Sequence, residues 1–164
     1  MNTRNILSIL LLALVGIFCS QVAANGLPHS AASGFFTQTG INSLDVQLAG
    51  PNVILEQTSE GSVFGTLSGS YEDALRVVIH PNGKFNVKFT IVCDCTVDGK
   101  QGFLYLMATD RGEMVSDTQA IFSGRAVITG GTGELSGLRG VLEIEGIVDL
   151  VTGLSEYDYV GWIH

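Results

Sequence analysis

The stretch Phe85-Asn86-Val87-Lys88-Phe89-Thr90-Ile91-Val92-Cys93-Asp94-Cys95-Thr96-Val97 decides the fold. Phe85, Val87, Phe89, Ile91, Cys93, Cys95 and Val97 fall on one face of an extended chain. Asn86, Lys88, Thr90, Val92, Asp94 and Thr96 fall on the other. A period of two sustained over this whole stretch is the pattern of a half-buried strand, not of a helix. Pro81-Asn82-Gly83 precedes it as a hairpin signal, because Asn-Gly tolerates positive φ. Asp98-Gly99-Lys100 follows as a second turn. Further out, Leu75 to Ile79 reads as the strand before the Asn-Gly turn. Val63 to Leu67 reads as the one before that, closed by Ser68-Gly69-Ser70. Phe103 to Met107 opens the strand after the Asp-Gly turn, with a break at Arg111-Gly112-Glu113. Val141 to Leu150 and Tyr157 to Ile163 are the last two. About eight or nine strands joined by short turns predict an antiparallel meander. A meander of that length leaves bare edges unless it closes. The expected fold is therefore all-β, a closed or nearly closed antiparallel barrel of about eight strands.

Composition supports this. After position 24, about a third of the chain is Val, Ile, Thr, Phe, Tyr or Trp, the types that suit a pleated surface, and strong helix formers are scarce. The 21 glycines of the chain are scattered at short intervals, as turns and bulges require. The whole chain has 164 residues, 8 basic and 16 acidic, for a net charge of −8. That balance excludes nucleic acid as a partner, since phosphate binding needs clustered Lys and Arg. It also opposes docking on anionic lipid.

Gly130-Gly131-Thr132-Gly133-Glu134-Leu135-Ser136-Gly137-Leu138-Arg139-Gly140 is the most specific segment. It lacks the Gly-Lys-Ser/Thr of a phosphate loop, and no helix follows to hold an anion. It reads as a wide structural turn, with Gly130, Gly131, Gly133, Gly137 and Gly140 allowing unusual backbone angles and Leu135 and Leu138 packing inward. This GGTGELSGLRG run resembles the signature of the DUF3224 family of small bacterial proteins. Gly65-Thr66-Leu67-Ser68-Gly69 and Thr96-Val97-Asp98-Gly99-Lys100-Gln101-Gly102-Phe103 resemble two further segments of that family. Related GGTG turns occur in allene oxide cyclases and dirigent proteins. The resemblance spans roughly residues 60 to 146. It implies an eight-stranded barrel of the allene oxide cyclase type and no particular activity. The strands Phe89 to Cys93 and Phe103 to Met107 are apolar where relatives carry polar residues, so the chain is expected to have shed interior polar groups there.

Candidate functional residues are few. If the barrel has a lumen, Phe85, Phe89, Ile91, Cys93, Cys95, Phe103 and Tyr105 are the candidates to line it. Cys93 and Cys95 admit three readings: two buried thiols acting as small hydrophobes, a strained Cys-x-Cys disulfide, or a metal or redox site. The disulfide would need a local bulge, since residues i and i+2 of a strand lie ~6.5–7 Å apart. A zinc site lacks nearby partners, because His29, His80 and His164 are all remote in sequence. No cofactor motif and no metal site are expected. Glu72 and Asp73 are neighbours and so face opposite ways on a strand. Glu143 and Glu145 share a face but alternate with Val141, Leu142 and Ile144 as an outer surface would. Arg76 and Arg125 read as outward cations beside acidic neighbours. Tyr71, Tyr105, Tyr157, Tyr159 and Trp162 read as core aromatics that could also line a pocket.

The function classes left are a binding module for a small apolar molecule, a cyclase- or isomerase-like enzyme acting on a hydrophobic substrate in the barrel, and a structural, self-associating exported protein. The sequence leaves a homo-oligomer open and does not give the oligomeric state.

The N-terminus addresses the chain for export. Arg4 forms a positive n-region, Ile6 to Phe18 is apolar apart from Ser8 and Gly16, and Val22-Ala23-Ala24 fits a cleavage site. The apolar run is short for a membrane span, and no later stretch approaches one. The expected organisation is a signal peptide over 1–24, a flexible lead-in over 25–33 and one barrel over 34–164, with a secreted or periplasmic destination and no membrane span after cleavage. N-terminal sequencing of the exported form should begin at Asn25. A start at Met1, or a lipidated Cys19, would overturn the assignment.

Overall fold

The computed structural model describes residues 29–164. The proposed signal peptide lies outside the described residues. Eight antiparallel strands close into a barrel in simple sequence order: β1 (Ser30–Ala49), β2 (Asn52–Gly65), β3 (Leu67–Ile79), β4 (Lys84–Val97), β5 (Lys100–Met114), β6 (Gln119–Gly131), β7 (Gly140–Asp149) and β8 (Ser155–Ile163). The expected barrel is the observed one. Seven seams join consecutive strands, and the eighth joins β1 to β8, from Ser30↔Ile163 to Thr37↔Glu156.

Several boundaries differ from the sequence expectation. Residues 30–33, placed in the lead-in, are the first residues of β1 and pair with β8. Ser68-Gly69-Ser70 is inside β3, and the chain reverses instead at Gly65 and Thr66. Arg111-Gly112-Glu113 does not break β5, which runs on to Met114. The Asp98-Gly99 turn is as expected. Asp98 and Gly99 have positive φ, 50° and 79°. A two-residue hairpin loop of the right twist demands this. The turn pairs Val97 with Lys100, and hence Cys93 with Leu104 and Ile91 with Leu106. Even-numbered residues of β5 therefore face inward.

The barrel interior is divided along its length. One end is solid. Leu67, Cys93, Leu104, Ile128 and Leu142 are fully buried there. The Gly130–Gly140 segment crosses this end and plugs it. A single 3₁₀ turn, Gly133–Leu135, drives Leu135 into the core, where it is 2% exposed, while Leu138 is half-buried beside it. Gly133 and Gly137 adopt positive φ of 60° and 88°. Thr132 ties the turn to β5, its N–H donating to the Phe103 carbonyl at 2.8 Å. The sulfurs of Cys93 and Cys95 are bonded inside this packed half, across a Cα separation of 5.3 Å. No bulge accompanies the pair: the ladders to β3 and β5 run in regular register through Cys93, Asp94 and Cys95. The contraction is local to the two Cα atoms.

Large inward side chains sit over glycines on the neighbouring strand. Tyr71 is the cross-strand partner of Gly61, Tyr157 of Gly146, Tyr159 of Gly34, Phe85 of Gly112 and Asp110 of Gly124. A Cβ added at any of these glycines would overlap the facing side chain. Leu135→Ala should lower unfolding free energy by ~2–5 kcal/mol, as for other fully buried leucines. Gly133→Val should also lower the denaturation midpoint, because its backbone is left-handed. Urea melts that leave both variants at the parental midpoint would remove the turn's role as a plug.

Candidate functional site

At the other end the lumen is open. From the Phe85, Ile79 and Met114 level downward it holds a cavity of about 370 Å³. Its wall is aliphatic and aromatic, with Leu75, Val77, Val87 and Phe122 among the lining residues. β1 supplies an overhang. Beyond Thr37 it loses its β8 partner, and two register shifts, between Gln38 and Gly40 and between Ile41 and Ser43, bend it. Leu44 and Val46 then continue the inner wall above the rim, 54% and 56% exposed.

Of the sequence candidates, Phe85, Phe89, Ile91, Cys93 and Cys95 do face the interior. Only Phe85 and Phe89 border the cavity; Ile91, Cys93 and Cys95 lie deeper, in the solid half. Phe103 and Tyr105 correct the expectation: they point outward, 46% and 41% exposed. The two-residue turn sets this register, and Leu104 and Leu106 take the inner positions. Arg76 and Arg125 point outward as expected, Arg76 to Glu56 at 3.3 Å and Arg125 to Glu143 at 3.9 Å.

The cavity floor is polar, and it was not foreseen. Gln38, Gln57, Ser59, Asp73 and Asp110 are all buried inside the barrel. They form two unlike halves. On one side, the Ser155 N–H and hydroxyl donate to Gln38 Oε1 at 3.0 and 3.2 Å. That fixes the Gln38 amide so that Nε2 donates to Ser59 Oγ. Ser59 has one proton, and it donates to Asp73 Oδ1. The chain of donors therefore runs one way, Ser155 to Gln38 to Ser59 to Asp73, and Asp73 Oδ1 serves as its acceptor. On the other side no hydrogen bond of good geometry forms: the Arg125 backbone amide approaches the Asp110 carboxyl and the Tyr71 and Tyr157 hydroxyls approach each other, but each of these side-chain oxygens is enclosed without a well-formed partner.

Electrostatics follow from this burial. Removal from water pushes Asp73 up to about 6, with the Ser59 hydrogen bonds pulling the other way. The same desolvation pushes Asp110 up to about 6, opposed by the nearby Arg125 backbone amide. Tyr157 is raised well above its ordinary value, first by burial and then by the charges of Tyr71, Asp73 and Asp110. Asp73, Asp110 and Tyr157 all border the cavity. Phe36 packs beneath, stacked on Tyr157 at 4.8 Å and edge-on to Tyr71 at 5.2 Å.

Alternation held a signal for the missed residues. Asp73 is in phase with Tyr71 and Leu75, and Asp110 with Leu104, Leu106 and Ala108. Among the described residues, no group of three or more His, Cys, Asp or Glu is placed to hold a metal ion. No helix there is long and apolar enough to cross a membrane.

With this geometry in view, comparison with known proteins adds little. No family model matches the chain, and no curated protein does. Among solved structures it is similar to the pterocarpan synthase dirigent protein GePTS1, with a TM-score of 0.48 and 12% identity over 90% of this chain and 98% of that one. It is also similar to the pterocarpan synthase dirigent protein PsPTS1, with a TM-score of 0.31 and 15% identity over 84% and 95%. Neither value bears on what this chain binds.

A carboxyl whose pKa is higher folded than unfolded makes the native state hold extra protons between about pH 4 and pH 6. Its contribution to stability falls as pH rises through that window. Asp110→Asn removes the cost without changing the shape. The melting temperature of the variant minus that of the parent should therefore be larger at about pH 7.5 than at about pH 4.5. A difference that is flat or inverted with pH would place Asp110 in contact with water.

Proposed function

We propose that this chain is an exported barrel protein that takes a small apolar molecule into the open half of its lumen. The observation that carries this is the cavity itself. Its volume is about 370 Å³ and its wall is aliphatic. That is the size and character of a small-molecule site. The exposed inner face of the β1 overhang, with Leu44 and Val46, extends the same apolar surface toward incoming ligand. The export signal over residues 1–24 supports a secreted or periplasmic setting. The proposed kinship with the DUF3224 family is supported by the resemblance of the glycine turn and of the two segments upstream of it, Gly65 to Gly69 and Thr96 to Phe103. The binding competence proposed here requires neither metal nor cofactor.

One observation favours a second reading. Asp73 and Asp110 are both raised to about 6. They could lend or take a proton beside an apolar substrate, which is what a cyclase- or isomerase-like enzyme of this shape would need. Binding is the part common to both readings.

Titration of the full chain with the neutral dye Nile red should give saturable fluorescence. Val87→Trp, which projects an indole into the cavity, should weaken binding by about tenfold or more while the melting temperature stays within a few degrees. Absence of saturable binding to the parent, or unchanged affinity in the variant, would overturn the lumen as a binding site.

A further inference from the structure

The cavity holds two acids and no base. Asp73 is 7% exposed and Asp110 3%. Among the described residues, no Lys, Arg or His borders the cavity. The nearby cations, Arg76, Lys88, Arg111 and Arg125, hold outward positions, Arg76 and Arg125 beside Glu56 and Glu143. The titratable groups that face the floor are Tyr71 and Asp73 from β3, Asp110 from β5 and Tyr157 from β8, all acids. β1 and β2 add only the neutral Gln38, Gln57 and Ser59. β4 adds no titratable side chain to the cavity wall, and neither do β6 and β7. Arg125 contributes its backbone amide alone.

Two buried acids could be a mere structural cost. Asp110 argues otherwise. Both of its oxygens are enclosed at the edge of a largely apolar cavity, with the Arg125 backbone amide near but no hydrogen bond of good geometry. Gly124, directly across the strand, leaves the space its carboxyl occupies, so the group is held inside and not turned out to solvent. Asp73 differs: the Ser59 hydroxyl donates to its Oδ1, and neither of its oxygens is enclosed without a partner. What the floor lacks is a cation with several hydrogen-bond donors. An ammonium group supplies both, with three N–H donors and a unit charge. An alcohol offers one donor and no charge. A carboxylate meets two like charges.

We propose that the lumen selects apolar amines, with a protonated amine head against the Asp110 carboxyl, on the floor it shares with Asp73, and a hydrocarbon body along Leu75, Val77 and Val87. This rests on the binding reading above and narrows it to a ligand class. The carboxyls attract the cation only when ionised, and their raised pKa values put the loss of that attraction near pH 6. Amine affinity should therefore fall as the solution is acidified below that point, and affinity for an uncharged analogue should not.

The test uses the full chain and three probes of equal length: decylamine, decanol and decanoate, titrated calorimetrically below their micelle concentrations. At about pH 8, decylamine should bind about tenfold or more tighter than decanol, with decanoate weakest. At about pH 5 the amine preference should shrink to about two- to threefold or vanish. Asp110→Asn should abolish the preference while decanol binding is retained, which also shows that the variant is folded. Decanol bound as tightly as decylamine by the parent, or an amine preference that survives in both Asp110→Asn and Asp73→Asn, would overturn the amine class and leave the binding reading standing. Failure of all three probes to bind would overturn both.

Discussion

The inside of an eight-stranded barrel is narrow, and that width governs everything else in this molecule. A lumen of this strand number is just wide enough to be filled by its own side chains. Several of the largest inward side chains sit where the opposing position on the next strand carries no side chain. Such pairs are Tyr71 with Gly61, Tyr157 with Gly146, Tyr159 with Gly34, Phe85 with Gly112, Phe122 with Gly112 and Gly146, and Asp110 with Gly124. Glycine weakens a strand when it stands alone. Covered by an aromatic partner across the ladder, it becomes part of a well-packed unit. The abundance of glycine is thus a packing device as much as a supply of turns.

The same constraint explains the division of the lumen. In the solid half, medium-sized residues such as Leu104, Leu142 and Ile128 meet the inserted Leu135, and no space remains. In the open half the barrel has no comparable plug, and β1 leaves its β8 partner after Thr37. Stability is concentrated at one end, so the other can stay hollow. Burial without solvent then gives the floor its chemistry. Gln38, Ser59 and Ser155 satisfy one carboxyl in a fixed direction, and the other has no well-formed hydrogen bond. This inequality between two otherwise similar aspartates sets the character of the site.

Much of the fold was legible because its decisive signals are local. The alternation from Phe85 to Val97 and the Asp98-Gly99 turn specify a strand and its hairpin without reference to anything distant. Closure follows from counting strands. The first hairpin was not legible: its shifts at Gln38 and Ile41 disrupt the period of two, and its outer half is exposed on both faces. The site was harder still. Phe103 and Tyr105 attract attention as aromatics, yet the turn's register, which sends them outward, was already in the sequence. Asp73 and Asp110 sit in phase with apolar neighbours, but an acid on an inward position is normally discounted, since its burial is unfavourable. That discount hides functional carboxyls of this kind. The one-way donor chain joins β8, β1, β2 and β3, and no pattern within a single strand announces it.

The pairing of Asp110 with Gly124 also changes what counts as a unit of information in this chain. The carboxyl's direction is written in two positions on different strands, well separated in sequence. A related chain that kept the aspartate but placed alanine opposite would hold the same letter and aim it elsewhere. One that lost both together could keep a sound barrel with a neutral floor. Descent of the lumen's chemistry is therefore traced through such couples, and a column-by-column comparison of single residues would miss it.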